Sequence, residues 1–382
     1  KIVEEGKIKM QKIQHFRPTR AIINLEAIKH NVLRLKEHLK KGVQIMAVVK
    51  ANAYGHGDVE VAATAIEAGA TMLAVATPEE ALHIRKHFPN IDILILGYAP
   101  VSFAPFAAKE NITLTVFSSD WVDQVKALTL SNPLKLHIKI DTGMGRIGVT
   151  TIEDLMNLYK AISSSDNLLV DGVFTHFATA DEEDETYFNH QVSKFEQFIS
   201  SLPVKPRIVH AANTATMLIK DQQLQYDAVR FGISMYGLAP SAYVKTKLPF
   251  PLQTAFSLET ELVEVKLIQP GQSIGYGATF TATEPSYIGT IPIGYADGLI
   301  RKYSGQHVLV NGTRAPIIGR ICMDQCMILL PTAYNIGEKV TLIGSQKNEE
   351  ITIDEWAQKV NTINYEIPCI ITSRVPRIYH TK

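Results

Sequence analysis

The sequence is poor in cysteine, carries no excess of either charge and contains no long apolar run. Its three cysteines, Cys322, Cys326 and Cys369, form neither an even disulfide set nor a paired Cys-x-x-Cys framework, which favours plain thiols in a reducing compartment. Lysine plus arginine and aspartate plus glutamate number 38 each, with no long block of like charge. Because nucleic acid and anionic membrane surfaces require a basic patch, we expect a small-molecule partner instead.

The chain also lacks the segments that would send it to or through a membrane. No stretch approaches the roughly 18 apolar residues of a membrane span, and Lys1–Gln14 lacks the apolar core of a secretory signal. Both features predict a cytoplasmic protein with no membrane association. A length of 382 residues exceeds one ordinary core and favours a large barrel with a second domain.

Short aliphatic runs alternate with amphipathic stretches eight times before residue 240. Such alternation is typical of parallel strands joined by helices, and eight units favour a closed (β/α)8 barrel over an open sheet. We assign residues 15–240 to this barrel. The predicted strands are Ile45–Val49, Met72–Ala76, Ile91–Leu96, Ile112–Val116, Leu134–Ile140, Leu168–Thr175, Arg207–His210 and Asp227–Phe231.

After Pro240 the pattern changes to β-type runs separated by glycine and proline. Val308–Ala315 contains Asn311-Gly312, a strong signal for a β-hairpin. We therefore predict a mainly-β domain over residues 241–382. The early run Ala21–Leu25 is a candidate to add one strand to it.

Lys50 ends the first apolar strand, where burial would lower the pKa of its amine. A lysine neutral near pH 7 can form a Schiff base with an aldehyde. From Lys50 alone, a lysine that merely reaches solvent from a strand end is the favoured interpretation. Other reactive side chains, however, follow the ends of four further predicted strands, where barrel active sites lie. They are Lys139, Asp141, Arg146, His176, Asn213, Thr214, Arg230, Gly232 and Ile233.

This set suits a cofactor that has an aldehyde, a phosphate and a ring nitrogen. Pyridoxal phosphate has all three, and its sites combine a Schiff-base lysine with an aspartate or arginine at the ring nitrogen. The backbone N–H groups of Gly232 and Ile233 follow the last barrel strand, a common phosphate site. Hydroxyl groups of Tyr54 and Thr214 can complete such a site.

Long ordered motifs resemble the alanine racemase family from about Thr19 to Tyr379. In the barrel they are Ala47–Gly57 (AVVKANAYGHG), Lys139–Arg146 (KIDTGMGR), Thr175–Ala178 (THFA) and Arg230–Gly237 (RFGISMYG). In the second domain they are Gly275–Ala278 (GYGA), Ile293–Gly298 (IGYADG), Cys322–Gln325 (CMDQ) and Asn364–Glu366 (NYE).

The resemblance implies a homodimeric enzyme that interconverts L- and D-alanine and supplies D-alanine for peptidoglycan. Lys50 would hold pyridoxal phosphate and act on the D face of the substrate, and Tyr276 of the partner subunit would act on the L face. His176 and Arg230 would stand behind Tyr276, with Arg230 at the ring nitrogen.

The remaining site residues are also carried over from the resemblance. Cofactor contacts would come from Tyr54, Arg146, Asn213, Thr214, Gly232, Ile233 and Tyr365, and substrate contacts from Arg146, Tyr295, Met323 and Tyr365. Lys139 would be the lysine that carries a carbamate in many members. Thr214 departs from the usual serine but keeps the hydroxyl, and Tyr365 is the bulky residue expected of an alanine-selective enzyme.

Two weaker motifs and three rival functions also fit parts of the sequence. Gly143–Gly148 fits the dinucleotide pattern GxGxxG but is better explained as the loop that presents Arg146. His83 and His87 have the spacing of a zinc-binding helix but lack its glutamate, so we predict no metal. The rivals are a broader or serine-preferring racemase, a basic amino-acid decarboxylase and a non-catalytic pyridoxal-phosphate-binding protein. Arg230 and Tyr276 argue against the decarboxylase, and the second domain with Tyr276 and Met323 argues against the non-catalytic protein.

Overall fold

A computed structural model of the chain describes residues 15–381. The expectation that Lys1–Gln14 contains no secretory signal lies outside the described residues. By internal contacts, residues 23–256 and 379–381 form one compact unit, and residues 15–22 with 257–378 form a second. Within residues 15–381, no helix has both the length and the apolar character needed to span a bilayer.

The first described strand, β1 (Arg20–Asn24), precedes the eight strands of the barrel. These are β2 (Gln44–Val48), β3 (Met72–Val75), β4 (Asp92–Ile95), β5 (Ile112–Val116), β6 (Leu134–Lys139), β7 (Leu168–Phe174), β8 (Ile208–His210) and β9 (Ala228–Phe231). Neighbours pair in parallel in the order β8-β7-β6-β5-β4-β3-β2-β9. Hydrogen bonds from Asp227 N to Val209 O and from Arg230 N to Ala212 O, both 3.0 Å, connect the two ends. The predicted eight-stranded barrel is confirmed.

Helices connect the strands of this unit. They are α1 (Leu25–His38), α2 (Lys50–Tyr54), α3 (Asp58–Ala68), α4 (Pro78–His87), α5 (Ala104–Lys109), α6 (Ser119–Lys126), α7 (Ile152–Ser163), α8 (Thr186–Ser201), α9 (Thr214–Ile219) and α10 (Ala242–Lys245). Short 3-10 turns lie at Val101–Phe103, Gln222–Gln225 and Ile233–Tyr236.

Side chains that alternate along each barrel strand face two different cores, one between strands and helices and one inside the barrel. Ile45, Ala47 and Val49 pack with the helices, whereas Met46 and Val48 pack with residues of β3, β4, β8 and β9 inside the barrel. The same alternation on β6 sends Leu136 and Ile138 outward, to the helices, and His137 and Lys139 inward. The barrel interior therefore has an apolar part centred on β2 to β4 and a polar part that holds His137 and Lys139.

The second unit is built mainly from antiparallel strands. They are β10 (Phe256–Glu261), β11 (Glu264–Ile268), β12 (Ser273–Ile274), β13 (Phe280–Thr281), β14 (Ser286–Ile291), β15 (His307–Val310), β16 (Thr313–Ile318), β17 (Cys326–Leu330), β18 (Lys339–Gln346), β19 (Glu349–Ile351) and β20 (Arg377–His380). The main sheet runs β11-β14-β17-β16-β15-β18-β10-β1-β20, so β1 is one of its strands. Helices α11 (Ile353–Val360) and α12 (Glu366–Ile370) and 3-10 turns at Tyr276–Ala278, Tyr295–Asp297 and Arg301–Tyr303 complete it.

The predicted hairpin is confirmed. Asn311 and Gly312 join β15 to β16 with φ values of 51° and 79°. Two consecutive residues with positive φ are what a tight two-residue hairpin turn requires, and asparagine and glycine adopt that region most readily.

Candidate active site

Lys50 lies two residues after the end of β2 and opens a left-handed turn. Ala51, Asn52, Ala53 and Tyr54 all have φ near 53°, although none is glycine. This conformation costs about 1–2 kcal/mol per residue for L-amino acids, so it persists only where the surroundings fix it. Strained turns of this kind are concentrated at functional sites, and Lys50 directly precedes the first left-handed residue, Ala51.

Aromatic packing supports the far end of this turn. The ring of Tyr54 lies 4.9 Å from that of Tyr236, whose hydroxyl donates to Val48 O at 2.8 Å. The ring of His56 also lies 4.5 Å from the ring of Tyr236. The Nδ1 of His56 is 3.0 Å from the carbonyl oxygens of both Ala53 and Tyr54. The direction of the Tyr54 side chain is thereby set.

Tyr54, Thr214 and Gly232 converge on one small space. The Gly232 N–H donates to Thr214 Oγ1 at 3.1 Å. A β-carbon on Gly232 would stand 3.0 Å from the Tyr54 hydroxyl and 3.4 Å from Thr214 Oγ1. Two hydroxyls and a backbone N–H beside a residue with no side chain, followed by the turn Ile233–Tyr236, form an arrangement that fits a phosphate group.

Arg230 lies across the polar side of the barrel interior. Its Nη1 and Nη2 make five hydrogen bonds, to His210 Nδ1 and O, Thr175 O, His176 Nδ1 and Ala211 O. These bonds, all from Nη1 and Nη2, fix the guanidinium plane. Burial and the charge of Arg146 lower the pKa of Arg230 to about 9, so it remains a cation at neutral pH.

His176, which follows β7, is held neutral by its burial and by the charge of the same arginine. Burial and then the charge of Arg230 put the pKa of His176 well below its ordinary value. Because Arg230 Nη2 can only donate, the Nδ1 of His176, 3.3 Å away, must accept. The ring hydrogen is therefore on Nε2, where it can be donated to a further group.

A chain of buried groups continues from Arg230 through the barrel. His210 Nε2 lies 2.9 Å from His137 Nδ1, and His137 Nε2 lies 3.3 Å from Asp171 Oδ2. Two bonds of 2.8 Å join Asp171 to Arg207. Arg230 donates at one end and a carboxylate accepts at the other, so both imidazoles carry their hydrogen on Nε2. Burial lowers the pKa of both histidines, so both are neutral.

The predictions from sequence did not include His137, His210 or Asp171 as site residues. Strand alternation offered one signal, because His137 lies two residues before Lys139 and must face the same way. His210 similarly ends the predicted strand Arg207–His210.

Lys139 is a buried lysine without a carboxylate hydrogen bond in the described structure. Its Nζ lies 4.4 Å above the ring of Phe174. Burial, followed by the charges of Arg230 and Arg146, puts the pKa of Lys139 well below its ordinary value. The lowered pKa favours the neutral form of this amine.

The loop after β6 presents Arg146 at the surface. Asp141 Oδ1 accepts the N–H groups of Gly143 and Gly145 at 2.9 and 3.0 Å. These amides are the ones that a dinucleotide loop would offer to a phosphate, so the GxGxxG match is used within the protein. The interpretation of Gly143–Gly148 as a loop for Arg146 agrees with this geometry.

Asn213 is used as a helix cap. Its Oδ1 accepts from Thr216 N at 3.1 Å, and its Nδ2 donates to Phe177 O at 3.1 Å. The cap fixes the start of α9 and hence the position of Thr214. A direct contact of Asn213 with a cofactor stays a prediction.

In the second unit, three predicted site residues project from neighbouring loops. Tyr276, Met323 and Tyr295 are 71%, 52% and 41% exposed. The loops of Tyr295 and Met323 are joined by hydrogen bonds of 3.0 Å from Tyr295 N to Cys322 O and from Ala296 N to Met323 O. Tyr365, at the start of α12, is half-buried.

The two matching family models cover most of the chain. Residues 23–240 match the model for the alanine racemase N-terminal domain, and residues 255–379 match the model for the C-terminal domain. The chain belongs to the alanine racemase family. A curated alanine racemase from Geobacillus kaustophilus is 52% identical over 364 residues, covering 95% of this chain and 94% of that protein.

Solved structures of the alanine racemase family agree in fold. Alanine racemase from Bacillus anthracis with bound L-Ala-P has a TM-score of 0.94 at 44% identity, with 97% of each chain covered. Histidine racemase from Leuconostoc mesenteroides has a TM-score of 0.90 at 33% identity and covers 97% of this chain and 100% of its own. The fold thus serves racemases of more than one amino acid.

Metal-binding clusters are absent from the part of the chain that the structure describes. The rings of His83 and His87 lie 5.2 Å apart, and His83 Nε2 is 3.5 Å from Asp58 Oδ1. The alanine racemase family uses pyridoxal phosphate, an organic cofactor, and the phosphate space and the Arg230 guanidinium described above both fit it.

Proposed function

We propose that this chain interconverts L-alanine and D-alanine with pyridoxal phosphate, using Lys50 on the D face and Tyr276 of a second copy of the chain on the L face. When bound, the cofactor draws electrons from the Cα of the attached amino acid and so acidifies its α-proton. The protein supplies two bases, one on each face, and groups that hold the substrate carboxylate. The observation that carries this proposal is the bond from Arg230 to His176 Nδ1.

Arg230 would donate to the ring nitrogen of the cofactor without giving up its proton. With a pKa lowered to about 9, Arg230 still retains its hydrogen at neutral pH, so the ring nitrogen beside it would stay unprotonated. Arg230 thereby limits electron withdrawal, which favours return of the proton to Cα over transamination.

His176 would tune the second base. A free tyrosine has a pKa near 10, so Tyr276 needs a donor that stabilises its phenolate. The tautomer fixed by Arg230 places a hydrogen on His176 Nε2, which is such a donor. His176 therefore stabilises the ionised tyrosine without carrying a charge of its own.

The remaining residues would bind and select. Tyr54, Thr214, Gly232, Ile233 and Tyr365 would hold the phosphate. Arg146 would bond the phenolic oxygen of the cofactor and the substrate carboxylate, helped by the Met323 N–H and by Tyr295. Lys139 would carry a carbamate that positions Arg146, in keeping with its lowered pKa. The bulk of Tyr365 would favour alanine over larger amino acids.

Deuterium exchange with alanine tests the reaction. The purified protein, loaded with pyridoxal phosphate, is incubated with L-alanine in deuterium oxide while NMR follows the α-proton and polarimetry follows optical rotation. We expect exchange and decay of rotation to zero, and neither with Lys50→Ala. Exchange with serine or histidine but not alanine would instead assign the chain to another racemase, and D-alanine as product would suit a role in peptidoglycan supply.

Hybrid dimers test whether the site is shared between two copies. Lys50→Ala and Tyr276→Phe chains are each inactive alone, and are mixed after reversible dissociation. If Tyr276 serves the other copy, half of the random dimers are hybrids with one intact site, and activity should return to about a quarter of wild type. If both bases come from one chain, mixing restores nothing.

A further inference from the structure

One carboxylate, that of Glu80 on α4, accepts hydrogen bonds from the ends of two neighbouring strands. Its Oε1 accepts the N–H of Ala51, the residue after Lys50, at 2.7 Å. Its Oε2 accepts the N–H groups of Ala76 at 2.7 Å and Thr77 at 3.3 Å, just after β3. Glu80 therefore connects the turn that carries Lys50 to the adjacent strand.

The backbone bonds of the turn serve its later amides. Gly55 N donates to Ala51 O at 3.0 Å, and Gly57 N donates to Asn52 O at 2.9 Å. The N–H of Ala51 is instead given to a side chain that lies 29 residues further along the chain. The first left-handed residue thus depends on tertiary structure for its hydrogen bond.

We propose that Glu80 is a positioning residue that holds the left-handed turn and thereby aims Lys50 into the barrel mouth. The inference rests on the function proposed above for Lys50. A carboxylate suits the task because two oxygens must accept from three N–H groups, whereas a glutamine would turn an NH2 group toward one of these donors.

Glu80 also has an ordinary structural role, and a test must separate the two. Thr77 is the N-cap of α4, and its side chain accepts from Glu80 N at 3.3 Å while Glu80 accepts from Thr77 N. This reciprocal pair is a capping box. If capping were the whole role of Glu80, its removal would loosen α4 alone.

The first experiment is amide hydrogen exchange on the protein without cofactor, comparing wild type with three variants. Glu80→Gln should speed exchange of Ala51 and its turn by about tenfold or more, because a charge-assisted bond is lost. Glu79→Gln, the matched control, removes the same charge from an exposed neighbour and should change nothing there. Thr77→Ala weakens the cap and should speed exchange at the start of α4 while the turn stays protected.

A second readout measures Lys50 itself. Borohydride trapping followed by mass spectrometry of the Lys50 peptide gives the rate at which pyridoxal phosphate is captured. We expect a rate at least about tenfold lower for Glu80→Gln and unchanged for Glu79→Gln and Thr77→Ala.

The proposal is overturned if Glu80→Gln accelerates exchange in α4 but not in residues 50–57, or if it captures the cofactor at the wild-type rate. If Glu80→Gln fails to fold, exchange of the Ala51 amide in the wild-type protein tests the proposal. Rapid exchange of that amide would be incompatible with its bond to Glu80 and would overturn the proposal. Exchange is measured without cofactor or substrate, so its result stands even if the chain proves not to racemise alanine.

Discussion

Replacing Thr214 with valine tests the phosphate site proposed for this chain. Valine keeps the shape of the buried threonine but removes the hydroxyl that accepts from Gly232 N at 3.1 Å. The unpaired N–H should lower the free energy of unfolding of the cofactor-free protein by about 1–3 kcal/mol. Losing a hydroxyl donor to a phosphate should cost about 1.5–3 kcal/mol of binding, or roughly a 10- to 150-fold increase in Kd.

Two titrations and one unfolding curve measure these effects. The cofactor-free protein is titrated with pyridoxal phosphate and with pyridoxal, which lacks the phosphate, and urea unfolding gives the stability. Only the affinity for pyridoxal phosphate should fall in Thr214→Val. Thr214→Ser is the matched control, because it keeps the hydroxyl and loses one methyl group, so affinity should hold while stability falls by about 1 kcal/mol.

Two outcomes would contradict this reasoning. If Thr214→Val weakened pyridoxal as much as pyridoxal phosphate, the hydroxyl would not be a phosphate ligand. If stability fell while pyridoxal phosphate bound as in wild type, the role of Thr214 would be confined to its bond with Gly232, and the phosphate would lie elsewhere.

Three further predictions concern buried ionisable side chains. Burial lowers the pKa of Lys139 in the folded chain, so between that pKa and the usual value of about 10.4 only the unfolded chain binds the proton. The free energy of unfolding should therefore rise with pH in this range by up to about 1.4 kcal/mol per pH unit, and it should rise less in Lys139→Met. Arg17→Ala removes both hydrogen bonds that Arg17 donates to the fully buried Asp297. The free energy of unfolding in urea should fall by roughly 2 kcal/mol, which is less than for a wholly buried ion pair because Arg17 is partly exposed, and an unchanged midpoint would refute this. Nitrogen-15 NMR at neutral pH should find His137 and His210 neutral with hydrogen on Nε2, and finding Nδ1–H on either would contradict the direction of the chain from Arg230.

Local patterns in the sequence were enough to predict the barrel. Eight β-rich runs separated by amphipathic stretches correspond to β2–β9, and no predicted end differs from the observed one by more than one residue. Such runs are visible because burial on both faces demands unbroken apolar character. Asn311-Gly312 was equally predictable, since its turn geometry depends on those two residues alone.

The sequence also predicted reactive residues at the carboxyl ends of the barrel strands. Parallel strands put their carboxyl ends at one edge, so Lys50, His176 and Arg230 had to gather there. The bond from Arg230 to His176 follows from that placement and from the alternation of side chains.

What the sequence alone determined is therefore the order of strands and helices, the family and the residue types at the strand ends, because each depends on neighbours along the chain. Tertiary structure alone decided the partners of those residues. The His210–His137–Asp171 chain needs the register between three strands, and the bond from Ala51 to Glu80 needs α4 to pack beside the end of β2. Register and packing are set by the closure of the whole barrel, which no local pattern contains.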